Sequence, residues 1–136
     1  MLKEMIEKGF GKDKDLNCAE KILYGANEAY DLGLDSNSLK LAAGFGGGMA
    51  IESTCGALTA AVMVLSKLFV EDTAHKNSKI KTLTKELFDD YEKAMGNIDC
   101  KPLKKDYRTS LSGCDKVIIK AAEILDKIVS RELEMN

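Results

Sequence analysis

Cys55-Gly56-Ala57-Leu58-Thr59-Ala60-Ala61-Val62-Met63-Val64-Leu65-Ser66-Lys67-Leu68-Phe69-Val70 is the stretch on which the fold turns. It shows no period-two alternation, so a half-buried strand is excluded. With Ser53 or Thr54 as its cap it reads as a helix from about Cys55 to Val70, apolar on most faces. Such a helix belongs at the centre of a core, with other helices packed around it. Its longest wholly apolar run is Ala60 to Leu65. A membrane-spanning helix needs about 18 apolar residues in succession, so this is a core helix and not a span.

The chain on either side repeats helical spacing. Residues 2–9 suggest a short helix ending at Gly9 or Gly11. Asn17 caps a helix from about Cys18 to Leu32, with Cys18, Ile22, Ala26 and Ala29 on its inner stripe and Gly33 as its stop. Ser36 or Asn37 starts a short helix that ends at Gly44. Phe45-Gly46-Gly47-Gly48-Met49 then forms a glycine loop of great backbone freedom before the central helix. Asn77 or Ser78 opens a helix to Met95 with Ile80, Leu83, Leu87, Tyr91 and Met95 on one face and Gly96 as terminator. A connection carries Cys100, Pro102 and Tyr107. Ser112 caps a last helix from about Gly113 to Glu132, striped by Val117, Ala121, Leu125 and Ile128. The expectation is an all-α, compact helical bundle of about five to six helices, with residues 1–136 as one domain.

Composition agrees. The chain has 136 residues, 45% hydrophobic and 31% charged, ordinary for a globular domain. Twenty Lys and Arg against 22 Asp and Glu leave a net charge of −2, so there is no basic excess for nucleic acid. The N-terminus mixes acids with bases and has no apolar core of a signal peptide. A cytoplasmic location is therefore expected, where four cysteines serve as ligands or redox groups more readily than as disulfide staples.

The four cysteines share a local setting. Cys18 follows Asn17, Cys55 follows Ser53-Thr54, and Cys114 follows Ser112-Gly113; each falls in the first turn of an expected helix. Cys100 follows Asp99 and precedes Lys101-Pro102, and proline suits a first helical turn. A helix N-terminus carries partial positive charge and free N–H groups, which stabilise a thiolate and predict a lowered pKa. Cys18 shares a face with Ile22, Cys55 with Leu58 and Val62, and Cys114 with Val117 and Ile118, so the thiols should point inward. If the three helices opened by these cysteines run in one direction and the 77–95 helix runs back, Cys100 is delivered to the same end. The plainer reading is that each cysteine is a small buried hydrophobe. Four placed alike favour one cluster of four sulfurs. No C-x-x-C occurs, so neither a thioredoxin motif nor a zinc ribbon is indicated.

Taken in order, Asn17-Cys18-Ala19-Glu20, Gly44-Phe45-Gly46-Gly47-Gly48-Met49, Cys55-Gly56-Ala57-Leu58-Thr59-Ala60, Asp99-Cys100 and Gly113-Cys114 resemble the redox-active protein family named after its C…GCAxxG…C…C pattern. The resemblance spans nearly the whole chain. It implies that Cys18, Cys55, Cys100 and Cys114 are the signature cysteines, and that the role is redox activity without a settled substrate. Where the pattern carries a glycine in the central helix, this chain has Ala60. The chain is also similar to the non-haem part of split-Soret cytochromes, whose cysteines hold an iron–sulfur centre. It lacks C-x-x-C-H, so covalent haem is not expected.

Three functions follow for the cysteines. An iron–sulfur cluster bound by Cys18, Cys55, Cys100 and Cys114 would serve electron transfer. Gly46, Gly47, Gly48 and Gly56 would then let backbone N–H groups approach the cluster, although the glycine loop reads equally well as a tight turn. The same thiols could instead perform thiol–disulfide exchange, with Cys100 and Cys114 as the first guess for a labile pair. The third reading is a structural zinc site in an interaction module. His75, in a polar stretch, reads as an exposed loop residue, and Asp89, Asp90 and Glu92 read as a solvated helix face. Glu52 is a weak candidate for a proton relay, and Tyr107 for shielding a cluster. Lys101, Lys104, Lys105 and Arg108 read first as a solvated loop. Their alternative role is steering an acidic redox partner protein. The apolar third helix leaves room for a homodimer.

Overall fold

Leu2, Ile22, Leu23, Leu58, Leu65, Leu87, Tyr91, Leu103, Leu125 and Ile128 have almost no exposed surface, and all belong to one hydrophobic core. The computed structural model describes residues 1–76 and 78–134. Among these the chain forms α1 (Leu2–Glu7), α2 (Cys18–Ala29), α3 (Ser36–Leu39), α4 (Gly56–Phe69), α5 (Ile80–Met95), α6 (Cys100–Tyr107) and α7 (Asp115–Glu134), and no strand. The all-α expectation holds. The segment read as a connection around Cys100 is the additional helix α6. Pro102 is its third residue, where no intrahelical donor is lost, and Cys100 and Leu103 bury one side of it.

Local chemistry sets the boundaries. Asn17 and Glu20 form a reciprocal capping box at the start of α2, with both bonds at 2.9 Å. Asp35, not Ser36 or Asn37, caps α3 by accepting from the Ser38 N–H. A 3-10 segment, Lys40–Phe45, continues from α3. Gly96, at φ 86°, ends α5. The Ser78 hydroxyl accepts from the Ile80 N–H at the start of α5; Asn77, the other expected cap, lies outside the described residues. Ser112 does not cap α7; its amide and hydroxyl are taken by Thr109 in a tight turn.

The central helix is where its composition puts it. Gly56, Ala57, Leu58, Ala60, Ala61, Val64 and Leu65 of α4 are buried. The most extensive helix pairing joins α4 to α2, through Ala19, Ile22, Leu23 and Ala26 on the α2 side. Small side chains allow that close approach, and Ala60, at the position where the pattern carries glycine, is fully buried. Val117, Ala121, Leu125 and Ile128 line the buried face of α7 as their spacing predicts. Asp126 of α7 accepts the Leu2 and Lys3 N–H groups at 3.0 and 2.9 Å and the Tyr30 hydroxyl at 2.6 Å. One carboxylate thus caps α1 and ties it to α2 and α7.

Two short extended pieces close the thiol end of the bundle. The Cys55 N–H donates to the Ile98 carbonyl at 2.8 Å and the Cys100 N–H to the Ser53 carbonyl at 2.6 Å. The chain leaving α5 is therefore stitched to the chain entering α4, and the N-terminus of α6 lies beside that of α4.

Candidate functional site

Cys18 is the first residue of α2 and Cys100 the first of α6; Cys55 caps α4, and Cys114 immediately precedes α7. The four line one cavity of about 280 Å³. Four helix N-termini therefore converge on one space, and their partial positive charges add there. Cys55 and Cys100 are buried, and Cys18 and Cys114 are half-buried. Leu16, Leu103, Val117 and Ile118 supply apolar wall, and Lys21, Lys104 and Arg108 bring positive charge to it.

The expectation of low thiol pKa values is corrected for Cys55, Cys100 and Cys114. Burial pushes the Cys55 thiol up to about 12, reinforced by the neighbouring Cys18 and Cys100. The Ala57 and Leu58 N–H groups at the start of α4 do pull it down, as a helix N-terminus should, but by less than desolvation raises it. Cys100 and Cys114 are also raised, by burial first. Lys104 opposes the rise at both, and Arg108 does so at Cys114. Sequence shows the helix N-terminus, whereas burial depends on what packs over it. Burial thus favours the neutral thiol at Cys55, Cys100 and Cys114, whereas a bound cation would favour their thiolates.

Three of the four glycines singled out by sequence act as spacers. A side chain at Gly46 would collide with Asn17, the cap of the Cys18 helix. A Cβ at Gly48 would lie 2.6 Å from the Ser53 backbone and 2.8 Å from the Cys100 Cβ. One at Gly56 would lie 2.6 Å from the Phe45 carbonyl oxygen and 2.7 Å from the Cys18 sulfur. Gly47 and Gly56 line the cavity itself. The loop is also a left-handed turn: Gly47, Gly48, Met49 and Ala50 all have φ between 61° and 66°, and Glu52 has φ 56°. Left-handed backbone costs a non-glycine residue roughly 1–2 kcal/mol, so Met49 and Ala50 hold strain beside the thiols.

Other candidates separate from the site. The Tyr107 hydroxyl donates to the Met95 carbonyl at 2.9 Å, and the residue lies outside the cavity lining. Glu52 is exposed and pairs with Lys104 at 3.2 Å, which holds the strained turn against α6. His75 is exposed. Asp89 and Asp90 pair with Lys85 and Lys127 near solvent. Sequence reading passed over Lys21 at the cavity, although its place three residues after Cys18 puts it on the thiol's side of α2. It also passed over the Ser53–Cys100 link, which no local pattern announces.

Among the described residues, no group of three or more His, Cys, Asp or Glu side chains is arranged to hold a metal ion. Four cysteine thiols at one cavity are the donor set that a thiolate-bound group would use.

Fold and site together define a small all-α domain built around four convergent cysteines. A family model described as "Putative redox-active protein (C_GCAxxG_C_C)" matches residues 16–128. The chain belongs to that redox-active family, and all four cysteines fall within the match. No curated protein and no solved structure matches the chain.

Proposed function

We propose that the domain carries electrons through an iron–sulfur cluster held by Cys18, Cys55, Cys100 and Cys114. The observation that carries this reading is the meeting of four thiols, one from each of four helix N-termini, at one cavity of about 280 Å³. A bound cluster supplies a one-electron redox couple that no side chain here offers. Cys55 and Cys100 hold it from the buried side, and Cys18 and Cys114 from the half-buried side. Leu103, Val117 and Ile118 keep water away from it, which shapes the potential. Lys104 and Arg108 offset the negative charge of the thiolates. A structural tetrathiolate zinc site is the alternative, and a colourless protein with stoichiometric zinc would favour it.

A second reading, thiol–disulfide exchange, has one observation in its favour. The four cysteines are free and line the same cavity. Cys100–Cys114 therefore stays the first pairing to test, by mapping disulfides after mild oxidation.

The test is anaerobic purification and reconstitution, read by visible absorption and by iron and acid-labile sulfide content. The expected result is a brown protein whose iron and sulfide are lost in both Cys18→Ala and Cys55→Ala. A colourless protein, or Cys55→Ala with unchanged metal and spectrum, overturns the proposal. A pH series sharpens it. Cys55, Cys100 and Cys114 have raised thiol pKa values, so uptake must expel their protons, and cluster occupancy falls as pH is lowered from about 8 to 6.

A further inference from the structure

We infer that the outer face of α6 is the docking surface for an acidic patch on a redox partner protein; this rests on the electron-transfer reading above. Lys101, Lys104, Lys105 and Arg108 follow one another at i, i+3, i+4 and i+7 through and just beyond α6 (Cys100–Tyr107), so they form one ridge. The adjoining side of the helix buries Cys100 and Leu103, and Lys104 shares the face of Cys100 at i+4. The ridge therefore borders the cavity: Lys104 and Arg108 line it together with Cys100, and Lys101 and Lys105 extend it outward into solvent.

The charge on this ridge is largely uncompensated. Among the described residues, only Lys104 of the four has a carboxylate within ion-pair distance, Glu52 at 3.2 Å. Helix stability does not explain the pattern. Lys104 and Lys105 suit the C-terminal turn of α6, but Lys101 stands in the first turn, where a cation opposes the helix dipole. Four cations on one ridge stand out in a chain of net charge −2. Apolar side chains flank it. Ile51, 76% exposed, adjoins the Glu52 that Lys104 holds, and Leu111, 98% exposed, sits at the tip of the turn after Arg108. A positive ridge with apolar contacts beside a redox centre suits a transient complex steered by charge.

The experiment uses the full chain purified under nitrogen and, as probe, a plant-type [2Fe–2S] ferredoxin, a small acidic electron carrier. Carbodiimide coupling joins lysine amines to carboxylates in contact, and peptide mass spectrometry locates the links. Links concentrated at Lys101, Lys104 and Lys105, lost in 0.5 M salt, are expected on the order of the Debye screening of exposed charges. Lys101→Glu with Lys105→Glu should weaken probe binding at least tenfold; the charge-matched control Lys67→Glu with Lys76→Glu should leave it unchanged. Links scattered over other lysines, or equal weakening by both variants, overturn the inference. Equally tight binding of the wild type to phosphatidylserine vesicles or to duplex DNA also overturns it, since the ridge is then a general anion surface. The cross-links do not depend on a cluster, and visible absorption of the same sample reports the cluster separately. Loss of one reading is thus distinguishable from loss of the other.

Discussion

The two ends of this bundle are built to different standards. Away from the thiols, around the start of α5 and the end of α7, charge is matched by charge. Arg131 grips Glu86 with two bonds of 2.7 Å and also reaches Glu132, which Lys79 meets at 3.2 Å. The helices there are regular, and Leu83, Ile128 and Val129 are buried with ordinary apolar neighbours. At the thiol end the backbone runs left-handed through Met49 and Ala50, three glycines leave no room for a methyl group, and the cations of α6 are mostly unpaired. Four cysteines share a cavity that, among the described residues, has no carboxylate in its lining. Local rules are broken together in one place, which is the pattern of a site shaped for binding and not for stability.

Substitutions can break this contrast or sharpen it. The largest effect is expected in the body of the fold. Leu125→Ala, at a fully buried position, should cost about 2–5 kcal/mol in urea unfolding while leaving thiol reactivity unchanged in the folded protein. Gly48→Ala should cost roughly 1–3 kcal/mol, from a left-handed φ of 61° and contact with the Ser53 backbone. Unlike the leucine change, it should also lower iron uptake on reconstitution, because it presses on Cys100. If it destabilises without touching uptake, the glycine loop is only a turn.

Smaller effects test the strain directly. Ala50→Gly should stabilise the protein by about 0.5–1 kcal/mol, as relief of the left-handed backbone outweighs the added freedom of the unfolded chain. A loss of stability would show that the turn is not strained. Arg131→Ala is expected to cost the least, below about 1 kcal/mol. Its side chain is 40% exposed and solvent screens the pair. Its melting curve should become less sensitive to salt than that of the wild type.

Much of the body was legible in the sequence. The stripes of α5 and α7, the Asn17 cap and the central position of α4 all follow from spacing and capping chemistry. The site was legible only in outline. The cysteines could be placed at helix N-termini, but α6 was hidden because its one proline and short length resemble a connection. The basic residues therefore looked like loop residues and not a ridge. The acidity of the thiols was misjudged for a related reason. The helix N-terminus that lowers a pKa is a local feature, and the burial that raises it comes from other elements.

What the sequence determined alone was whatever depends on neighbours within a turn or two: where helices begin and end, which face is apolar, and which residues open each helix. Only the tertiary structure decided that four such openings meet at one cavity, that Gly48 and Gly56 are the spacers letting Cys100 and Cys18 into place, and that Cys55 is held as a neutral thiol. Capping and periodicity act through bonds a few residues long. Convergence and desolvation depend on segments far apart in the chain, and those become neighbours only when the core closes.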